Sequence, residues 1–325
     1  MSDSAFIAGC MDRVLAGGKI TVDEAERLLA TKDIMALADG ANTITRKFNG
    51  DIVDVEALLN AKSGRCPEDC SFCAQSTFYE TGVNKYPLLP AEQIVENARM
   101  AKEGGAMSFC LVCAYRSPPE KDFEQICDTI STLKKEVGME VNVSLGFMTP
   151  ERARRLKGLG VKRYNHNLEA AESYFSKICK THDFSDRVNT ARIVKEAGLE
   201  LCCGGILGMG ETERQRIELA FSIASLSPDE VPMNILIGRD GTPMENMATT
   251  IDPMDAIKTI AVWRFIMPKT ILKIAGGREV HLKDKERLAL KAGANGIITG
   301  GYLTTGGNQP NKDIAMIEEI GLKAK

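Results

Sequence analysis

The chain has 325 residues, of which 44% are hydrophobic and 26% charged, a balance that excludes a disordered chain and suits one large folded core. Lys and Arg number 41 against 44 Asp and Glu, a formal charge of -3, so no global field draws in nucleic acid or an anionic membrane. The first residues lack a basic start followed by an apolar stretch, and no run approaches the ~18 apolar residues a membrane span needs, so the expected location is cytoplasmic. The 10 cysteines then point to metal binding or catalysis, because a reducing compartment disfavours structural disulfides.

In chain order, residues 1–47 predict helices, with an apolar stripe in VDEAERLLA and a capping-box pattern from Thr21 to Glu24. Short apolar runs then alternate with longer amphipathic ones. The runs VDVEALLNAKSG, AMSFCLVCAY, EVNVSLG, KRYNHNL, ELCCGGILG, EVPMNILI, ILKIAGG and NGIITGGYL suit strands buried on both faces. Between them AEQIVENARMAKEGG, DFEQICDTISTLKKEVG, PERARRLKGLG, ETERQRIELAFSIASL, DPMDAIKTIAVWRF and KDKERLALKAGA read as helices, several ending at Gly. Eight such units predict an α/β fold, a TIM-type (β/α)8 barrel over residues 48–325 with an N-terminal helical extension over 1–47. An open doubly wound sheet is the alternative. In a barrel the chemistry gathers at the carboxyl ends of the strands.

The segment KSGRCPEDCSFCAQS follows the first predicted strand and spaces Cys66, Cys70 and Cys73 as C-x3-C-x2-C. A loop this short can fold three thiolates around one [4Fe–4S] cluster, leaving one iron open to bind a substrate. A structural zinc site fits less well, since zinc takes four ligands and no fourth Cys or His is near in sequence. The spacing resembles the signature of radical S-adenosylmethionine (SAM) enzymes, which implies SAM at the open iron and places Phe72 against its adenine end.

Beyond that loop, the segments YNHNLEA, CGGILGMGET, VPMNILIGRDGTP, AGGRE and YLTT make the chain resemble the biotin synthase family from about residue 47 to 305. The resemblance implies sulfur insertion into dethiobiotin, an auxiliary iron–sulfur cluster as sulfur donor, an electron donor such as flavodoxin or ferredoxin, and a homodimer. It assigns Asn165, Asn167 and Glu169 to SAM and substrate, with Glu169 standing where Asp is usual. It assigns Gly204, Gly205, Gly208 and Gly210, followed by Glu211, to a glycine-rich strand along SAM. Asn234 corresponds to the residue on the ureido ring, for which an amide offers both donor and acceptor, and Thr304 with Thr305 to the pair on the carboxylate tail.

The chain also departs from the family. Its auxiliary cluster is usually held by three strand cysteines and an arginine; here Cys110 and Cys202 keep two positions, while Asn142 and Lys273 stand at the others. Cys113 and Cys203 are extra. Alternation along a strand prevents Cys202 and Cys203 from both pointing inward, and the resemblance selects Cys202. Cys110 and Cys113 diverge too, unless the strand ends between them. The expected set is Cys110, Cys113 and Cys202 around a four-iron cluster with an additional sulfide. Cys10, Cys127 and Cys179 fall in predicted helical segments and read as structural, and His166, His182 and His281 read as too dispersed for zinc. His166 is expected as packing or a SAM contact. Two rival readings stand beside this one: a related radical SAM barrel enzyme of the hydrogenase-maturation or methylornithine-synthase type, and a non-enzymatic iron–sulfur carrier.

Overall fold

The computed structural model describes residues 2–247, 251–301 and 306–325. Helices α1 (Asp3–Leu15), α2 (Val22–Leu29) and α3 (Ile34–Asn49) precede the first strand. The predicted capping box forms, with Thr21 Oγ1 accepting from Glu24 N and Glu24 Oε2 accepting from Thr21 N. The stripe it starts buries Ala25, Leu28 and Leu29. They join an apolar cluster that reaches Ile217, Ala261, Val262 and Phe265 of the later helices, so the extension packs on the barrel wall.

Each predicted strand forms: β1 (Ile52–Lys62), β2 (Ser108–Cys113), β3 (Glu140–Ser144), β4 (Arg163–Asn165), β5 (Glu200–Cys202), β6 (Gly205–Leu207), β7 (Glu230–Ile235), β8 (Ile271–Ile274) and β9 (Gly296–Thr299). Pairing runs in parallel from β1 to β9, and β9 pairs back onto β1, which closes the ring and removes the open-sheet alternative. The ring has eight staves because β5 and β6 are one strand interrupted at Cys203 and Gly204, both halves lying against β7. A short β10 (Lys323–Ala324) adds beside the start of β1. Between the strands run α4 (Ala91–Glu103), α5 (Glu120–Glu136), α6 (Pro150–Gly158), α7 (Glu172–Phe175), α8 (Phe184–Glu196), α9 (Glu213–Ser225), α10 (Pro253–Ile266), α11 (Arg278–His281), α12 (Glu286–Lys291) and α13 (Pro310–Glu319).

The main apolar core lies between this ring and its helices, built from the outward strand residues Phe109, Leu111, Val141, Val143, Leu201 and Leu272. The inward residues are polar. Among the described residues no helix is long and apolar enough to cross a membrane.

Candidate active site

The cysteine loop leaves β1 through two consecutive left-handed residues, Gly64 (φ 70°) and Arg65 (φ 57°), which reverse the chain over the barrel mouth. Backbone hydrogen bonds then fold the loop on itself: Cys66 N to Gln75 O at 2.9 Å, Thr77 N to Cys66 O at 2.8 Å and Cys73 N to Cys70 O at 2.9 Å. The side chain of Gln75 accepts from Gly64 N and Ser63 Oγ, locking the loop to the strand end. All three thiols thus open on one cavity. Burial pushes the Cys73 thiol up to about 11 and the Cys66 thiol in the same direction, so a metal must displace their protons.

That cavity, of about 190 Å³, is lined by Cys66, Cys70 and Cys73 on one side and by Asn165, His166, Asn167 and Glu169 on the other. Asn165 Oδ1, His166 Nε2 and Glu169 Oε2 are buried there without a hydrogen-bond partner. Such atoms are rare in a finished interior and indicate a ligand site. Glu169 is also one of the few described non-glycine residues in the left-handed region (φ 69°), and its side chain lines this cavity. Burial raises the Glu169 carboxyl despite Arg187, whose Nη1 lies 3.9 Å from Oε1. His166 is held well below the ordinary histidine range by burial and by Arg187, so it stands neutral. Three thiols on a preformed loop, facing orphaned polar atoms, fit a [4Fe–4S] cluster and a polar, SAM-like ligand.

A second cavity of about 180 Å³ lies behind the loop, with Phe72, Cys73 and Gln75 forming the wall shared with the first. Asn234 lines it beside Ile206, Ile235 and Gly276. Its Oδ1 accepts from Gly276 N at 2.9 Å and its Nδ2 donates to Gly205 O at 3.3 Å, so one Nδ2 hydrogen and one Oδ1 lone pair are left for a ligand. Asn167 hooks the same interrupted strand from the other side, Oδ1 accepting from Gly204 N at 3.0 Å. The need for glycine here is explicit: a Cβ on Gly204 would lie 1.9 Å from Pro232 O, and one on Gly205 2.8 Å from Glu169 O. Glu211 is fully engaged in the turn that follows, accepting from Gly208 N, Met209 N and Arg216 Nε. Thr304 and Thr305 lie outside the described residues.

Deeper in the barrel, Cys110 and Cys202 point inward as the resemblance implies. Asn165 Nδ2 donates to Cys110 Sγ at 3.4 Å, and Cys202 Sγ lies 3.1 Å from Glu230 Oε1. Around them Lys273 Nζ is 2.8 Å from each of Asp54, Glu56 and Glu230, Arg163 pairs with Glu230, and Asn142 Nδ2 donates to Glu56 at 2.6 Å. Burial works to lower the Lys273 ammonium, but Asp54, Glu230 and Glu56 hold it well above its ordinary range. A charged ammonium has no lone pair for iron, so the usual auxiliary donor set does not assemble here. Burial and the carboxylates of Glu56 and Glu230 also push both thiols well up. Cys203 belongs to the outer apolar layer. The expected strand end between Cys110 and Cys113 is not found: β2 runs unbroken to Cys113, whose charged neighbours are Lys62 and Asp122.

One reading is corrected. Cys179 is not helical; it lies in the turn after α7, with Sγ 3.9 Å from Cys70 Sγ and 3.2 Å from His182 Nδ1. The hydrogen bond with Cys70 drives the Cys179 thiol down to about 4 and the Cys70 thiol up. The C-x-x-H spacing of Cys179 and His182 was the available signal.

Comparison with known proteins follows this layout. Residues 61–223 match the Radical SAM superfamily model, and residues 232–323 match the Biotin and Thiamin Synthesis associated domain. The chain is 50% identical over 327 residues to a biotin synthase of Nitrosopumilus maritimus, covering 100% of both chains. It is 52% identical over 318 residues to one of Cenarchaeum symbiosum, covering 98% of this chain and 99% of that one. Among solved structures it resembles a methylornithine synthase (TM-score 0.83, 21% identity, 97% of each chain). It also resembles the FeFe-hydrogenase maturase HydG from Carboxydothermus hydrogenoformans (TM-score 0.81, 18% identity, 98% of this chain and 79% of that one). At those identities the likeness is one of fold alone. With both domain models in sequence along one barrel and full-length relatives at half identity, the chain belongs to the biotin synthase family of radical SAM enzymes.

Proposed function

We propose that the protein converts dethiobiotin to biotin by radical SAM sulfur insertion. The observation that carries this is the cavity in which three loop thiols face the unpartnered atoms of Asn165, His166 and Glu169, in a chain of this family. Cys66, Cys70 and Cys73 would hold a [4Fe–4S] cluster, which when bound would supply the electron for reductive cleavage of SAM. An auxiliary cluster on the inward thiols Cys110 and Cys202 would supply the sulfur.

The side chains position and exclude. Phe72 covers the adenine end of SAM, Asn165, Asn167 and Glu169 accept and donate along its ribose and the substrate, and Gly204 with Gly205 present backbone to it. Glu211 holds the turn that frames this strand. The free hydrogen and lone pair of Asn234 meet the ureido group of dethiobiotin, and Thr304 and Thr305 take its carboxylate. A closed barrel mouth keeps water and stray hydrogen donors from the radical.

For the auxiliary cluster we assign Cys110 and Cys202, with Cys113 as the third thiolate, around four irons and an additional sulfide. Cys113 reaches that set only if the end of β2 turns on metal loading. Iron and sulfide counts with Mössbauer spectra on wild type and Cys113→Ala check it: a [2Fe–2S] signature indifferent to Cys113→Ala rejects the assignment. The electron donor is taken to be a flavodoxin or ferredoxin and the assembly a homodimer.

Anaerobic incubation with dethiobiotin, SAM and a low-potential reductant tests the whole reading. Biotin and 5′-deoxyadenosine are expected. Formation of 5′-deoxyadenosine without biotin assigns another substrate, and formation of neither overturns the proposal.

A further inference from the structure

Segment 178–182 is stitched to the cysteine loop by bonds that no cluster requires. Ser71 N donates to Ile178 O at 2.8 Å, Asp69 Oδ1 accepts from Lys180 N at 2.9 Å and Thr181 N at 3.1 Å, and Arg116 Nη1 donates to Thr181 O at 3.1 Å. These contacts fix Cys179 and His182 against Cys70, all three buried, with one ligand atom from each lying within 4.8 Å of the others. We propose that Cys70, Cys179 and His182 form a mononuclear site for a divalent ion of the zinc class, a site that shares Cys70 with the [4Fe–4S] cluster and therefore excludes it.

The sulfur spacing is that of a coordination shell. Zn–S bonds of about 2.3 Å and Zn–N bonds of about 2.0 Å at tetrahedral angles separate two sulfurs by about 3.8 Å and a sulfur from a nitrogen by about 3.5 Å. Here Cys70 Sγ and Cys179 Sγ are 3.9 Å apart, and Cys179 Sγ lies 3.2 Å from His182 Nδ1 and 3.7 Å from Nε2, so the sulfur pair already has shell spacing while Cys179 swings from the Nδ1 side toward the Nε2 end as the ion enters. The outer partner of the histidine is also present. Glu68 Oε2 lies 2.5 Å from His182 Nδ1, the carboxylate contact that holds a proton on Nδ1 and leaves Nε2 as the ligand atom. A cation already occupies the place: the Arg187 guanidinium donates from Nε to His182 Nε2 at 3.0 Å and sets Nη2 3.7 Å from Cys70 Sγ. An incoming ion displaces it, the two thiols release their protons to solvent, and water completes the shell.

The site does not depend on the activity proposed above; only its competition with the cluster does. The test is anaerobic titration of the reduced, cluster-free full-length chain with Co2+, followed through thiolate-to-cobalt charge-transfer and tetrahedral d–d absorption, with Zn2+ as competitor. One Co2+ per chain is expected, in wild type and equally in the Cys66→Ala/Cys73→Ala double variant, which cannot build the cluster but keeps the site. Cys179→Ala should weaken Co2+ binding by about 100-fold or more while still reconstituting the iron and sulfide of the SAM-cleaving cluster. Cys179→Val, which refills the space, should do the same if the alanine variant does not fold. Co2+ binding that survives Cys179 replacement, or that disappears in the Cys66/Cys73 double variant, overturns the site. A wild-type chain that binds Co2+ as described yet never acquires a [4Fe–4S] cluster would instead reject the radical SAM reading and leave the site standing.

Discussion

The barrel interior has two polar layers that differ in how their charges are matched. Near the mouth, Asn165, His166 and Glu169 keep buried atoms without partners. A few residues deeper, Lys273, Arg163, Glu56 and Glu230 are equally buried, yet each charge meets an opposite one. Charges closed on one another hold a layer in place, whereas polar atoms left open mark where a ligand sits; in the second layer Asn142 Oδ1 is also open, beside the inward thiols of Cys110 and Cys202. The first layer reads as a ligand chamber and the second as a charge-balanced floor that carries the two inward thiols of Cys110 and Cys202.

Breaking the chamber should have the largest effect. Cys66→Ala, Cys70→Ala or Cys73→Ala should abolish reductive SAM cleavage, because each removes one of three thiolates from a cluster that has no spare. Product analysis for 5′-deoxyadenosine checks this, and near-normal yield in any of the three rejects the ligand set. Breaking the floor should unfold rather than inactivate. Lys273→Met strands Asp54, Glu56 and Glu230 around a neutral side chain and should lower stability by about 3–5 kcal/mol in denaturant unfolding of the cluster-free chain. An unchanged midpoint would mean the network is not closed as described.

The contrast sharpens at Asn234, which belongs partly to each kind. Its amide is tied to Gly205 and Gly276 yet faces the second cavity, so Asn234→Ala should weaken dethiobiotin by about 1–3 kcal/mol and SAM by less, measured by calorimetric titration. Equal losses for both ligands would make it a strut of the strand. Outside both layers, Thr21→Ala removes one cap at the surface and should cost about 1 kcal/mol in thermal unfolding with activity intact.

The ring of strands was legible because parallel barrel strands bury both faces and so appear as short apolar runs, from ALLNAK to GIIT. The loop thiols were legible because three ligands lie within eight residues. The floor was not. Glu56, Glu230 and Lys273 are single charges on three different strands, and nothing local shows that closure of the ring carries them to one point. Cys179 was missed for the same reason: its partner Cys70 is 109 residues away, and only the pairing of two loops brings them together. The interruption at Cys203 and Gly204 was also hidden inside one apolar run, since it arises from the close approach of β7.

Phe72, Cys73 and Gln75 are a partition with a chamber on either side. Were a ligand in one chamber to order this wall, the second arrival would find part of its ordering already done. Linkage then fixes the arithmetic: whatever factor SAM adds to the affinity for dethiobiotin, dethiobiotin must add to the affinity for SAM. A wall of three side chains, Phe72, Cys73 and Gln75, is in this sense a thermodynamic conductor between the two chambers.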